Sequence, residues 1–165
     1  MPTFNRFAAR DYATKYALKG NSAYPPFDND CTSFVSQCML TGGWTMIGGS
    51  VWDRKDDDVW WWGKSSWSKA SYTWGGAHNF SKFLTAVGRG KSCKRADLEV
   101  GDVVQISKNG HVFHSMVVTE TGSSIKLSYH TTNTLNKPLT DIEPQYPTSD
   151  GCAFLFWKIL SNPPK

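Results

Sequence analysis

Residues 30–43 read DCTSFVSQCMLTGG, and this stretch predicts the helix on which the rest of the fold is arranged. Small and apolar residues run through it until two successive glycines, which are typical of a helix end. Asp30 stands at the N-cap position, where its carboxylate could accept hydrogen bonds from the free amides of the first turn. Cys31 is then expected to be the first residue of the helix, whereas Cys38 is interpreted as a core residue.

The segments on either side of this helix fall into a helical part and a strand-rich part. Apolar residues at helical spacing predict one helix over residues 3–18, and another over residues 77–87. After residue 93, runs typical of strands alternate with turn residues such as Asn109-Gly110. Helices first and an antiparallel sheet after them predict an α+β fold, with residues 1–165 forming one domain. The predicted strands cover residues 101–107, 111–120, 124–131 and 152–160.

The composition indicates a globular protein with a mildly basic surface. Hydrophobic residues make up 39% and charged residues 19%, which excludes the apolar-poor class of disordered chains. The formal charge of +4 is compatible with an ordinary surface or with attraction to an anionic polymer such as a bacterial wall. Because Lys and Arg are scattered, we expect no nucleic-acid partner. The absence of an apolar run near ~20 residues argues against a membrane span, and MPTFNRFAAR lacks the pattern of a secretory signal.

Four cysteines are present, and their spacing limits what they can do. Without a CxxC pair, a structural zinc site is not expected. In a helix, Cys31 and Cys38 lie ~10 Å apart along the axis, which is too far for a disulfide that needs Cα atoms within about 7 Å. A bridge between Cys93 and Cys152 is left open.

Cys31 is the candidate nucleophile because of its predicted place at a helix N-terminus. Free amides and the positive end of the helix dipole favour a thiolate there, and the same amides could stabilise an oxyanion. The alternative is a small buried hydrophobe, the commonest fate of a free cysteine. The polar flank DNDC disfavours burial, although the Asp30 charge opposes ionisation and makes a cationic partner more necessary.

The partner of this cysteine should be a histidine on the sheet. His111 and His114 are three residues apart, so in one regular strand they point to opposite faces and only one can face the helix. We expect His114 to be the base, and His111 remains a second candidate. His130, on the next strand, would hydrogen-bond to the first histidine and fix its tautomer.

Several segments carry a resemblance to a known family. DCTSFVSQCMLTGG, GDVVQIS, HSMVVT and YHTTNTLNKPL occur in that order, and NRFAARDYATKYAL, YPPFDNDC and WWWGKSSWSKA extend the likeness over most of the chain. The sequence resembles the bacterial "putative amidase" family of papain-like hydrolases, which is akin to the NlpC/P60 and CHAP wall-degrading domains.

The resemblance implies both a fold and a set of site residues. It implies a papain-like, NlpC/P60-type domain in which Cys31 is the nucleophile, His114 the base and His130 the orienting third residue, with no metal or cofactor. Members of the family tend to carry an aspartate shortly after the YHT segment, where this chain has Asn133. Asn133 is therefore an alternative third residue.

Residues 44–75 hold seven of the eight tryptophans. They could form a satellite core beneath a long loop, or they could line a substrate groove in which indoles stack on sugar rings or a peptide. For the groove we expect Trp61 and Trp62 to contact substrate, together with Asp30 and Asn133. The acidic run DRKDDD at 53–58 lacks the glycine and the terminal glutamate of a calcium loop, so we interpret it as a solvated turn.

These observations favour a monomeric cysteine amidase or peptidase that degrades peptidoglycan outside the cell, as a secreted domain or a phage-type endolysin. One alternative is a non-catalytic module that binds wall or glycan through the tryptophan-rich segment. Another is a protein-directed cysteine protease, which shares the same chemistry. A metallohydrolase using His111, His114 and His130 is a third alternative.

Overall fold

A computed structural model describes residues 3–24, 28–63 and 69–161, and these residues form helices packed on one antiparallel sheet. The fold is α+β, as the order of sequence patterns predicts. The helices are α1 (Arg6–Tyr16), α2 (Cys31–Thr41), α3 (Tyr72–Gly75), α4 (Ala77–Ala86) and α5 (Leu139–Ile142); the strands are β1 (Gly90–Ser92), β2 (Val103–Lys108), β3 (His111–Glu120), β4 (Lys126–Tyr129), β5 (Thr134–Pro138) and β6 (Cys152–Ile159).

The sheet has the strand order β1-β6-β2-β3-β4-β5, and each strand is antiparallel to its neighbours. β2 and β3 form a hairpin, since Asn109 and Gly110 both adopt positive φ, at 50° and 83°. That backbone twist matches the twist of the two strands, which is why Asn-Gly is favoured at this turn. β3 has the bounds predicted from the sequence.

Apolar cores cover both faces of the sheet. On one face, Phe34 and Val35 of α2 belong to the same buried cluster as Val103 and Val117 of the central strands. On the other face, a second cluster includes Met116 of β3 and residues of α5. Burial on both faces explains why β2 reads as a nearly continuous apolar run rather than an alternating one.

α1 is attached to the sheet by a buried ionic contact. Asn5 caps the helix by accepting a hydrogen bond from the Ala8 amide at 2.9 Å, so α1 begins later than the pattern predicts. Arg6 donates to the carboxylate of Asp102 at 2.5 Å, and Lys158 contacts the same carboxylate at 2.8 Å. The Asp102 side chain has no exposed surface, so these two cations compensate for its burial.

Two strands are not predicted from the sequence, because they are short or polar. β1 has only three residues, and β5 reads TLNKP with a proline at its end. Both lie at the edges of the sheet, where a strand needs few apolar residues and tolerates proline.

Most of the described tryptophans in residues 44–75 are packed rather than exposed. Trp44, Trp60 and Trp74 are at most 2% exposed; they are packed, as one interpretation expects, but they belong to the main helix-side core rather than to a satellite core. Trp52 is 92% exposed, and Trp67 lies outside the described residues.

The structure also bears on the cysteines and on membrane spans. All four cysteines are free thiols, so the bridge between Cys93 and Cys152 that the sequence leaves open is not formed. Among the described residues, every helix is too short or too polar to cross a bilayer.

Candidate active site

Cys31 lies in the first turn of α2, and its sulfur is turned towards the edge of β3 that faces β4. The first paired residues of β3 and β4 are Val117 and Ser128. At Ser115, two residues earlier, this edge of β3 therefore has no strand partner. The backbone amide of Ser115 points at the sulfur there, and the thiol donates a hydrogen bond to Asn29 Oδ1 at 3.5 Å. Cys31 is only 2% exposed.

The resting state of this sulfur is the thiol. Burial raises the pKa of Cys31 above its ordinary value, and the charge of Asp30 raises it further. Hydrogen bonds from the Ser115 amide and from the Thr32 amide and hydroxyl lower the pKa, but they do not offset the burial. The sulfur therefore has amides in place to stabilise a thiolate, although it holds its proton when no substrate is bound.

His114 immediately precedes Ser115 in β3, and its imidazole is neutral at rest. The residue is 8% exposed, and its ring meets Tyr129 edge-on, with ring centroids 4.9 Å apart. Burial lowers the pKa of His114 to about 4. A neutral imidazole can accept a proton, so the protonation state suits a general base.

Cys31 and His114 are close along the backbone but are not hydrogen-bonded to each other. The hydroxyls of Thr32 and Ser115 lie 2.9 Å apart, so Ser115 faces α2. Alternation along the strand then turns His114 towards the opposite face. Within the described part of the chain, His114 has no hydrogen bond to the sulfur. A direct contact between the two side chains would therefore need a different orientation of the His114 imidazole.

A buried polar network beneath the sulfur fixes the start of α2 to the sheet. Gln105 Nε2 donates to the Ser115 hydroxyl at 2.9 Å, and the Ser115 hydroxyl contacts that of Thr32. Trp157 Nε1 donates to Gln105 Oε1 at 2.9 Å. The sequence does not predict this network. The alternation of side chains along a strand shows which residues share a face, but it does not show which polar side chains contact one another. Each of these buried side chains is paired, so the network specifies one position for the helix start.

His130 joins α1 to α2 rather than orienting His114. Its Nδ1 lies 2.7 Å from Asp30 Oδ2, and its Nε2 lies 2.7 Å from the backbone oxygen of Tyr16. Its ring stacks on Phe34 with centroids 4.0 Å apart. Both ring nitrogens are thus occupied, and the contact with His114 expected from the sequence is not made.

Both partners of His130 are hydrogen-bond acceptors. A carboxylate and a carbonyl oxygen only accept hydrogen bonds, so the two ring nitrogens face groups to which an N–H can donate. His130 lies at the C-terminus of α1, and Asp30 precedes α2, where the helix dipole favours a carboxylate. The expectation that Asp30 caps α2 is wrong, because its side chain makes no capping hydrogen bond and is bound to His130 instead.

Comparison with known proteins places this geometry in a family. The model of the family described as "Putative amidase domain" matches residues 3–153. The chain belongs to this amidase family. The uncharacterized protein YhbB of Bacillus subtilis (strain 168) is 33% identical over 121 residues, which cover 70% of this chain and 37% of that protein. The uncharacterized protein YjcM of the same organism is 28% identical over 150 residues, covering 82% and 32%.

The chain spans about a third of the length of these curated relatives. No solved structure matches it significantly. The family description points to an amidase-type hydrolase, and the relatives add no substrate.

The remaining predicted substrate contacts have different positions in the structure. Trp61 is 4% exposed and its indole N–H donates to Asp53 Oδ1 at 2.8 Å, so it is a packing residue. Trp62 is half-buried and lies against Tyr24, with ring centroids 4.4 Å apart. Asn133 is exposed and donates to the backbone oxygen of Leu18 at 3.4 Å.

His111 and the other histidines do not form one cluster. His111 is exposed and stacks on His78, whose Nδ1 accepts from the Val112 amide at 3.2 Å. The described residues contain no group of three or more His, Cys, Asp or Glu side chains placed to hold a metal ion. Since both nitrogens of His130 are already bonded, the three-histidine arrangement has no support in this geometry.

An aromatic cavity of about 230 Å³ opens beside the first turn of α2. Ser33, two residues after the sulfur-bearing residue, lines it and accepts the indole N–H of Trp74 at 3.2 Å. A neighbouring depression includes Asp30, His130 and Ser33. The helix start thus borders both concave surfaces. The aromatic cavity is lined in part by Tyr24, Ser33, Arg54, Trp62, Tyr72 and Trp74.

The His114 pKa predicts how stability depends on pH. An unfolded histidine has a pKa near ~6.5, so between pH 6.5 and about 4 the unfolded chain binds more protons at this position. The resulting stability is present above pH 6.5 and is lost as pH falls, by up to about 3 kcal/mol. In His114→Phe, which keeps a ring beside Tyr129, the free energy of unfolding should fall less between pH 7 and pH 4. Urea unfolding at several pH values measures this.

His111→Phe is the matched control, because that ring is exposed and should leave the pH slope at the wild-type value. Identical slopes for wild type and His114→Phe would show that burial of His114 is not linked to stability.

Loss of the His130 bridge should loosen the start of α2. His130→Phe keeps the stacking on Phe34 but leaves the Asp30 carboxylate and the Tyr16 carbonyl without their donor. Because Asp30 is partly exposed, we expect the free energy of unfolding to fall by about 2 kcal/mol, measured by urea denaturation. His130→Gln, which retains a donor, should recover part of the loss. If His130→Phe is as stable as wild type, the bridge does not hold the two helices.

Proposed function

We propose that this amidase is a cysteine-dependent, papain-like hydrolase that cleaves amide bonds in bacterial peptidoglycan, with Cys31 as nucleophile and His114 as base. The observation that carries the proposal is the position of the sulfur. It lies at the start of a helix, on the open edge of the strand that bears His114, with the amides of Thr32 and Ser115 directed at it. Those amides stabilise the thiolate when it forms.

The reaction follows from these positions and from the neutral resting state. His114 turns towards the sulfur and accepts the thiol proton, and the thiolate attacks the amide carbon to form a C–S bond. The carbonyl oxygen becomes an oxyanion, which backbone amides of the first turn of α2 stabilise. The imidazolium then protonates the nitrogen as the C–N bond breaks, and the amine leaves. Water, deprotonated by His114, hydrolyses the thioester and restores the thiol.

The role of Asp30 in this reaction is indirect. Its carboxylate is bound to His130 and makes no capping hydrogen bond to α2, so the amides of the first turn stay available to a substrate oxygen. The charge of Asp30 still raises the pKa of Cys31, and the contact with His130 fixes where that carboxylate lies relative to the sulfur. His130 therefore acts on the nucleophile through Asp30, and Asn133 is not required as a third residue.

The proposed substrate rests on the surface and on the family. The formal charge of +4 suits an anionic wall polymer, and the aromatic cavity beside α2 suits a substrate group. We propose that the domain acts as a monomer on the wall outside the cell.

A non-catalytic wall-binding module is the second candidate. Two observations favour it: His114 makes no hydrogen bond to the sulfur, and Trp52 is 92% exposed. Exposed indoles are typical of carbohydrate-contacting surfaces. Such a module would bind peptidoglycan without changing its mass spectrum.

The decisive test is a digest of purified peptidoglycan followed by mass spectrometry. Wild type should release new fragments, whereas Cys31→Ala should release none, because no other thiol borders the helix start. Cys93→Ala is the matched control, since Cys93 is half-buried and lies outside the candidate site; it should retain activity. His114→Gln should lose at least about 100-fold in rate, the lower range for removal of a general base.

Activity that survives in Cys31→Ala would refute the cysteine mechanism. Binding to peptidoglycan by wild type, with an unchanged spectrum, would support the wall-binding module. The melting temperature of each variant should be measured beside its activity, so that loss of the fold is not read as loss of catalysis.

A further inference from the structure

Arg54 is the charged residue among the described lining of the aromatic cavity, and no described carboxylate forms an ion pair with it. The chain has fourteen Asp and Glu side chains, all of them within the described residues. None of them forms an ion pair with Arg54: nearby Asp57 is paired with Lys82, and Asp53 accepts the indole N–H of Trp61. Arg54 is thus a cation for which the described residues supply no carboxylate partner.

The hydrogen-bonding capacity of Arg54 is also partly unused. Its guanidinium carbon lies 5.3 Å from the centroid of the Tyr72 ring, which orients the planar group against the cavity wall. Its Nε is buried and has no acceptor among the described residues. Buried donors are normally paired, so an unpaired donor in the lining of a cavity is available to an acceptor from outside the chain.

The cavity is placed to receive part of the substrate. Ser33 lines it and lies in the same helical turn as Cys31. Its aromatic side, formed by Trp62 and Trp74, offers apolar surface to a carbon chain, and Arg54 offers a planar donor group to an anion. The volume of about 230 Å³ suits a group the size of an amino-acid side chain rather than a polymer segment.

We propose that this cavity is a specificity subsite for an amino-acid residue with a carboxylate side chain, which binds Arg54 while its methylene groups pack on Trp62 and Trp74. The proposal deepens the proposed function, since it names the residue that lies next to the cleaved amide. It makes Arg54 a specificity residue and gives it no part in bond breaking. The subsite requires a carboxylate in the substrate and discriminates against the corresponding amide.

The test measures binding without turnover. In a Cys31→Ala background, tryptophan fluorescence is titrated with N-acetyl-glutamate N-methylamide and with N-acetyl-glutamine N-methylamide, which differ only in the carboxylate. We expect the glutamate compound to bind about tenfold more tightly or better, because a charge-assisted bidentate contact replaces a neutral one. Arg54→Met should abolish this difference. Lys55→Met, which removes the same charge from an exposed neighbour, should retain it.

Several outcomes would overturn the subsite. These are equal affinity for the two compounds in the Cys31→Ala protein, an unchanged preference in Arg54→Met, or a preference that Lys55→Met abolishes as well. Tighter binding of N-acetylglucosamine than of the glutamate compound would also overturn it and would favour a sugar-binding groove. Should Arg54→Met fail to fold, Arg54→Lys takes its place: it keeps the charge but loses the planar fork, and it should weaken the preference severalfold.

This experiment and the peptidoglycan digest can fail independently. A carboxylate preference that depends on Arg54, without any Cys31-dependent cleavage, would keep the subsite and reject the hydrolase. Cleavage without a carboxylate preference would keep the hydrolase and reject the subsite.

Discussion

The contact between His130 and Asp30 is the constraint on which the candidate site depends. Residues one hundred positions apart meet at 2.7 Å, and the second nitrogen of the ring reaches the last turn of α1 at the same distance. One imidazole ring therefore holds the end of one helix and the start of the next. Because Cys31 follows Asp30 directly, the position of the sulfur is set by this bridge and by the Thr32–Ser115 contact on the sheet side.

Burial of the sulfur and of His114 gives the site a neutral resting state. The thiol pKa is raised and the imidazole pKa is lowered, so both groups lack charge at neutral pH. Two uncharged groups cost less to bury than an ion pair, and a thiol that keeps its proton resists oxidation. The amides directed at the sulfur become useful only when the proton moves to His114. In the proposed chemistry, the resting site is therefore uncharged and stable, and the reactive form of the site arises only around a substrate.

Local patterns in the sequence predict the elements of this fold better than they predict its contacts. Strand β3 and the start of α2 are marked by turn residues and by apolar runs, which act over a few positions. The partner of Asp30 is not marked in this way, and a carboxylate before a helix ordinarily predicts a cap. The position of Arg54 is not predicted from the sequence either, because the run DRKDDD indicates a solvated acidic turn. Its side chain lines a cavity together with Tyr24, which lies before it in the chain, and with Trp62 and Trp74, which lie after it.

The tryptophan-rich segment and α2 are one structural unit, which connects the cavity to the nucleophile. Trp60 donates its indole N–H to the Ser36 hydroxyl at 3.0 Å, and that hydroxyl donates to the backbone oxygen of Trp74 at 2.8 Å. Trp74 in turn donates to Ser33. The polar groups of these indoles are therefore satisfied by the same helix that carries Cys31. In the proposed function, a substrate group in the cavity would therefore contact residues that are hydrogen-bonded to the helix that carries Cys31.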